Sequence, residues 1–543
     1  MKTEPESFEY RSLTRRASLL GLLGVTAAGA CSSGDEPTPT PSALPAPLPP
    51  IDRPSTVHAT AVVRDVQRVH ERLKSRFGFA ILPGSTWEAS AVVLAGLSLS
   101  AADTVDGAAP LHIAVTRSET NLLDVVVGIP LRAPDRLIAS AIAGADARYG
   151  LRRDDAARVD LLEPRAAGAA AGIAIGVARN HLVVASSSEA LRAAAAFVAD
   201  PGQSAFGLPT SDIRMDVDET LVAEIGKRFA ERMRAAKGPD WSAVAAIAST
   251  EPEIARLLGA RGGTVTADVG ETAIRVGVSL ASREGKPLEG CVNGGREQVL
   301  RLHPDGLVGA VTFSSEASRK QSAARAVDWL SSAHLVETER AEAARQAMEA
   351  LAAARGSATR LSIELSEMGW VAYGGTDLSN EKGAKQALEE LVKAIGSDDR
   401  TEPGMQLVAT ETVVESVGEA VRLRLRQVAD KAESKTIATI LLRVEDDTLA
   451  LATGPDAAYA LKKALAAEGV SAIAELSEGV DAEAAIYLRL NAGGLTGGSG
   501  EAKERDAAIV SVRACEEPMT LKLALEPGAI TAALGWLTER RRP

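Results

Sequence analysis

The sequence predicts an α+β protein with two tandem, related domains, each built of antiparallel sheets with packed helices, behind an N-terminal leader and a proline-rich stretch. Three observations carry that expectation. Short β-branched runs, as at Val57–Val63, alternate with segments whose apolar residues fall at helical spacing. The order of strands and helices before residue 300 recurs after it. The chain of 543 residues is also too long for one core, since domains hold about 100 to 200 residues.

The first domain, residues 55–300, opens with a strand at Val57–Val63 and a helix capped by Asp65, with Val66, Val69, Leu73 and Phe77 on one face. Strands are expected at 91–98, 112–116 and 123–129, then a helix from Pro134 to about Ala143. A hairpin of 172–177 and 181–185 turns at Arg179-Asn180 and feeds a helix from Ser187 or Ser188 to Ala199. A strand at 213–217 leads into a helix from Asp218 bearing Leu221, Val222, Ile225, Phe229 and Met233. Short helices follow at 241–248 and 252–258, and strands at 264–269 and 273–280 close the domain.

The second domain, residues 301–543, answers this order. A strand at 307–313 and a helix at 315–332 match the opening pair, and a helix at 337–355 has no counterpart. Strands at 359–364 and 370–373 and a helix at 380–395 follow. Asp447-Thr448-Leu449-Ala450-Leu451-Ala452-Thr453, with a helix from Pro455 to Ala467, parallels Asn180-His181-Leu182-Val183-Val184-Ala185-Ser186 and its helix. Strands at 484–490, 509–512 and 520–525 complete the set. The repeat resembles an uncharacterised family of repeat-containing bacterial envelope proteins, in which a strand, a small-residue turn and an Ala/Leu/Lys helix recur. That resemblance covers short segments and implies no activity.

Ahead of the domains, the pair Arg15-Arg16 precedes an uncharged apolar segment, Ala17 to Ala30, shorter than the roughly 20 residues a membrane-spanning helix needs. Ala28, Gly29 and Ala30 then precede Cys31. Residues 1–30 resemble a bacterial lipoprotein signal peptide, and more loosely its twin-arginine class, with Thr14 before the pair and Leu19 after it. An ordinary secretory signal with a chance arginine pair is the alternative route, and a signal without lipidation the other alternative. The resemblance implies that Cys31 becomes the acylated mature N-terminus. Ala28 stands where a larger aliphatic residue is usual, and Ser18 where the twin-arginine pattern places an apolar one. Ser32 lacks the aspartate of inner-membrane retention, which by the same resemblance points to the outer membrane of a diderm cell. Residues 31–54 are a proline-rich, disordered tether, whose 24 residues in extended polyproline form reach roughly 70 Å.

Composition narrows the function. After residue 30 the chain keeps 56 basic and 69 acidic residues, a net charge of −13, which repels nucleic acid and anionic surfaces. Aromatic residues are 3%, too few for stacking platforms, so the cores fall to Ala, Val, Leu and Ile. Of the three cysteines, Cys291 and Cys515 either pair once Cys31 is acylated or stay separate buried thiols. The histidines at 58, 70, 112, 181, 303 and 334 have no zinc-site spacing and are expected on surfaces or turns, so no metal and no cofactor is expected.

Catalytic patterns are sparse. Ser379 and Lys382 have the serine–lysine spacing of penicillin-interacting enzymes, without companion motifs, and a polar helix start capped by Asn380 accounts for them as well. Gly497 to Glu501 lacks the last glycine of a nucleophile elbow, and the acidic pairs 154–155, 398–399 and 446–447 fit turns. The sequence therefore predicts a lipid-anchored envelope protein that binds or scaffolds another envelope protein and is not an enzyme. A carrier of lipid or another hydrophobic ligand is the alternative, and a serine hydrolase the third.

Overall fold

The computed structural model describes residues 51–77, 85–117, 123–143, 148–165, 173–200, 210–224, 262–281, 292–303, 306–396, 404–415, 417–428, 434–466, 480–491, 507–526 and 528–529. The chain divides into two compact units, Met1–Arg283 and Glu284–Pro543. Both are α+β.

The first unit runs β1 (Val57–Val63), α1 (Val66–Phe77), α2 (Trp87–Leu94), β2 (Leu111–Thr116), β3 (Asp124–Pro130), α3 (Pro134–Ile142), β4 (Tyr149–Asp154), β5 (Val159–Pro164), β6 (Ala174–Ala178), β7 (His181–Ala185), α4 (Ser188–Val198), β8 (Ile213–Asp218), β9 (Gly262–Val269) and β10 (Ile274–Ala281). Its strands pair antiparallel throughout, in the order β10-β9-β8-β1-β2-β3-β7-β6-β5-β4. Successive strand residues point to opposite faces, and each face has its own helical cover. On one face Val63, Leu111, Val127 and Val184 pack with Val66, Val69 and Leu73 of α1, Trp87 and Ala91 of α2 and Leu137 of α3. On the other, Ala114, Val126, Val183 and Ala185 pack with Ala190, Leu191, Ala194 and Val198 of α4. An alanine-rich helix can lie close to the sheet. Gly128 shows how close, since a Cβ there would stand 2.9 Å from the Val198 carbonyl oxygen.

The second unit runs β11 (Val308–Phe313), α5 (Glu316–Ser332), α6 (Thr338–Ala354), β12 (Arg355–Ser366), β13 (Gly369–Leu378), α7 (Glu381–Ile395), β14 (Gly404–Val414), β15 (Gly418–Val428), β16 (Ser434–Glu445), β17 (Thr448–Thr453), α8 (Ala457–Leu465), β18 (Ile486–Asn491), β19 (Ala507–Arg513) and β20 (Met519–Leu525). Its strand order is β20-β19-β18-β11-β12-β13-β17-β16-β15-β14, again antiparallel. This is the first unit's order with ten added to every label. The four described α-helices of each unit fall at the same points, and the β6–β7 and β16–β17 turns both place a left-handed residue first, Arg179 at φ 48° and Asp446 at φ 52°. α8 covers Val371, Tyr373, Leu441, Ala450 and Ala452, while α6 and α7 cover Leu442 and Leu449 on the opposite face.

The local capping chemistry agrees with the sequence. Asp65 Oδ1 accepts the Arg68 amide at 2.9 Å, Ser187 Oγ the Ala190 amide at 3.1 Å, and Asn380 Oδ1 the Gly383 amide at 2.9 Å.

Four expectations are corrected. The strand expected at 91–98 is instead helix α2 and the chain after it, because Thr86 caps a turn in which Trp87 and Ala91 share a buried face, outweighing the β-branched pair Val92-Val93. That helix supplies the counterpart that α6 was expected to lack. Strands β4 and β5 were not foreseen, since Tyr149–Asp154 is mostly exposed and carries Arg152 and Arg153. Strands β14 to β16 were not foreseen either, although Val421, Leu423 and Leu425 alternate with Arg422, Arg424 and Arg426 at strand period. The helices expected at 241–248 and 252–258, most of the helix from Asp218, and the loop at 497–501 lie outside the described residues.

Candidate functional site

β12 places Arg360, Ser362 and Glu364 on one sheet face by simple alternation, and β13 sets Gly375 opposite Arg360 and Tyr373 opposite Ser362. α8 crosses this face with Tyr459 and Lys463 one turn apart. These side chains meet at Glu364, which is 8% exposed. Its carboxylate accepts Tyr373 Oη at 2.9 Å, Tyr459 Oη at 2.9 Å and Lys463 Nζ at 2.7 and 2.8 Å to the two oxygens. Lys463 Nζ also lies 5.0 Å from the Tyr459 ring centre. Burial, with the Glu364 carboxylate beside it, raises the Tyr459 hydroxyl above the ordinary tyrosine range, against the pull of Lys463. A buried carboxylate costs desolvation energy that only good pairing offsets, and here hydrogen bonds and an ion pair supply it.

Beside this knot lies a cavity of about 230 Å³. It opens because Gly375 contributes no side chain between Arg360 and Ala450, and because α8 ends at Leu465. Its lining is mixed: Arg301, His303, Arg360 and Lys463 form a basic side, Glu445, Asp446 and Asp447 an acidic side, and Leu302, Leu361, Ala464 and Leu465 are apolar. Arg360 donates to Gln298 Oε1 at 3.0 Å and Asp377 Oδ1 at 2.9 Å, and Arg301 stands 3.7 Å from Asp377 Oδ2. His303 meets Tyr373 edge to face, with ring centres 5.8 Å apart. Arg489, 1% exposed on β18, holds that wall by donating to the carbonyls of His303 and Gly306.

Among these groups the sequence marks only His303 and the Asp446-Asp447 pair, and reads them as surface or turn residues. Arg360, Ser362 and Glu364 alternate with Leu361, Ile363 and Leu365, which is also what a solvent-facing strand looks like; Tyr459 and Lys463 read as an exposed helix face. The other sequence candidates lie elsewhere. Ser379 Oγ donates to the Ala354 carbonyl at 3.0 Å, and Lys382 is exposed at the start of α7. Cys515 is disulfide-bonded; Cys31, Cys291, Arg15 and Arg16 lie outside the described residues. Asp154, Asp155, Asp446 and Asp447 flank turns as expected, and 398–399 lie outside the described residues.

The first unit buries a carboxylate on the corresponding face. Asp124, 1% exposed, accepts Ser186 Oγ at 2.6 Å and Ser187 Oγ at 3.0 Å at the start of α4. The histidines correct an expectation here, because His70 is fully buried and His112 is 6% exposed rather than on the surface. Both sit on strand or helix faces turned inward, a placement periodicity permitted but polarity argued against. His112 and His181 stack with ring centres 6.2 Å apart. Burial drives His70 down to about 3, with Lys74 adding to the effect. Burial, with His112 and Arg179 beside it, drives His181 down to about 4. Burial also lowers His112, opposed in part by the Val198 carbonyl and Asp200. Asp200 in turn binds Arg179 at 2.9 Å and accepts the Ile51 amide, which ties the first described residue to this unit.

Among the described residues, no cluster of His, Cys, Asp and Glu could hold a metal ion, and no helix is long and apolar enough to cross a membrane. No family model matches this chain, and no curated protein is similar to it. Among solved structures, one titled "Structure of crystal form I of TP0453" aligns over 43% of this chain and 78% of its own at 8% identity. Its TM-score of 0.24 is too low to carry an argument.

Proposed function

We propose that this chain is an exported, lipid-anchored envelope protein with a non-catalytic binding or scaffolding role, and that its second unit binds a ligand at the polar cavity. The signal at residues 1–30 directs export, Cys31 carries the acyl chains, and residues 31–54 tether the units to the membrane, the outer one in a diderm cell. The observation that carries the binding role is the state of Glu364. With two phenols and an ammonium bonded to it, that carboxylate positions its neighbours and is poorly placed to accept a substrate proton.

The charged lining of the cavity suits a polar ligand better than an acyl chain, which argues against the hydrophobic-ligand carrier. The Ser379 hydroxyl, spent on the Ala354 carbonyl, argues against the serine hydrolase. The disulfide at Cys515 supports an oxidising compartment. With the Cys31 sulfur acylated, its partner is Cys291.

The test is Cys31→Ser, followed by membrane fractionation and intact mass. The wild type should sediment with membranes at a mass raised by acyl chains, and the variant should be soluble without them. Unchanged mass and partition would refute the anchor.

A further inference from the structure

Resting on that binding role, we infer that the cavity of the second unit takes a small zwitterion, a free amino acid or short peptide with a protonated amine and a carboxylate. Three features of one space point there. Arg360 and the Asp446-Asp447 turn approach from opposite sides of β13, because Gly375 pairs with Arg360 on β12 and with Ala450 on β17. The acidic side carries charge that the protein leaves available. Asp446 and Asp447 are exposed at the rim and form no ion pair among the described residues. The last turn of α8, Lys463 to Leu465, lines the same space, and the carbonyl end of a helix attracts a cation.

The basic side has matching capacity. Among the described residues Arg301 makes one long ion pair, 3.7 Å to Asp377, with 55% of its side chain exposed, so its guanidinium can receive a carboxylate in the fork geometry arginine favours. Arg360, bonded to Gln298 and Asp377, fixes the wall behind it and adds its positive charge to the same side. Lys463 is committed to Glu364, which sets the floor and keeps that ammonium from competing. The volume of about 230 Å³ corresponds to roughly eight waters, room for a dipeptide and too little for a folded partner's side. A ligand with a single charge would leave one wall unmatched.

The experiment is calorimetric titration of the full mature chain in detergent with glycyl-L-glutamate, and with its N-acetyl derivative, which lacks the ammonium. Saturable binding is expected for the free dipeptide, weakened about tenfold by acetylation and by Asp447→Asn, and about fivefold or more by Arg301→Gln. Both substituted side chains are exposed, so unchanged far-UV circular dichroism separates lost binding from lost fold. Absence of saturable heat with the free dipeptide overturns the inference, as does equal affinity for the acetylated one. Membrane partition of Cys31→Ser is read independently, so either result leaves the anchoring measurement intact.

Discussion

Acidification should loosen the first unit well before its carboxylates titrate. His70 and His181 are held neutral, with folded-state values of about 3 and about 4 against 6.5 when unfolded. A value lowered by folding means that the unfolded chain binds the proton more readily. The stability of the neutral form is therefore complete above pH 6.5 and is lost as pH falls toward the folded values. At pH 5.5 each residue costs about 1.4 kcal/mol, or about 3 kcal/mol for both as an upper figure, because His181 is partly exposed. His112, lowered in the same direction, adds to it. Against a typical stability of about 5 to 15 kcal/mol this is a large fraction, and it corresponds to a fall of roughly 6 to 12 °C in Tm. Calorimetric scans between pH 7.5 and 5.5 would read it, in a window where Asp and Glu stay ionised. His70→Phe fills the same space without a titrating group and should remove about a third to a half of the slope. A wild-type Tm that is flat across that range, or a variant curve parallel to it, would refute the reasoning.

Other outcomes are specific. Glu364→Ala should destabilise the second unit by about 3 kcal/mol, since it removes the buried acceptor that Lys463 and two phenols share, and a urea transition for that unit unmoved from wild type would contradict the network. Asp124→Ala should cost about 2 kcal/mol by depriving Ser186 and Ser187 of their acceptor, measured by denaturant unfolding. Gly128→Ala should cost about 1 to 3 kcal/mol, because α4 must back away from the sheet, and a neutral result would mean that α4 sits farther from β3. Ser379→Ala should leave fluorophosphonate labelling at background in both proteins; labelling of the wild type alone would restore the hydrolase. Non-reducing peptide mapping should recover Cys291 linked to Cys515.

Much of the framework was readable where a local rule acts alone. Asp65, Ser187, Ser315 and Asn380 announced helix starts, and each accepts the amide three residues on. The reading slipped where tertiary context overrode local preference. Val92-Val93 argued for a strand, yet burial of Trp87 and Ala91 on one helical face won. β4 was hidden because a mostly exposed strand needs no apolar stripe; only Tyr149 anchors it. β15 is different, since Val421, Leu423 and Leu425 alternate with arginines in plain strand period.

The sequence by itself determined the helix caps, the repeat in element order and the short apolar segment ending at Cys31, because spacing and residue chemistry within a few positions are enough to decide them. Only the tertiary structure decided that Glu364, Tyr373, Tyr459 and Lys463 meet, that Gly375 leaves a space between Arg360 and the Asp446-Asp447 turn, and that His70 and His112 lie inside. Those facts depend on strand register and on which sheet face a helix covers. A polar residue on a strand looks the same in sequence whether it faces water or a neighbouring helix, and the cost of burying Glu364 is offset largely by Tyr459 and Lys463, nearly a hundred residues away.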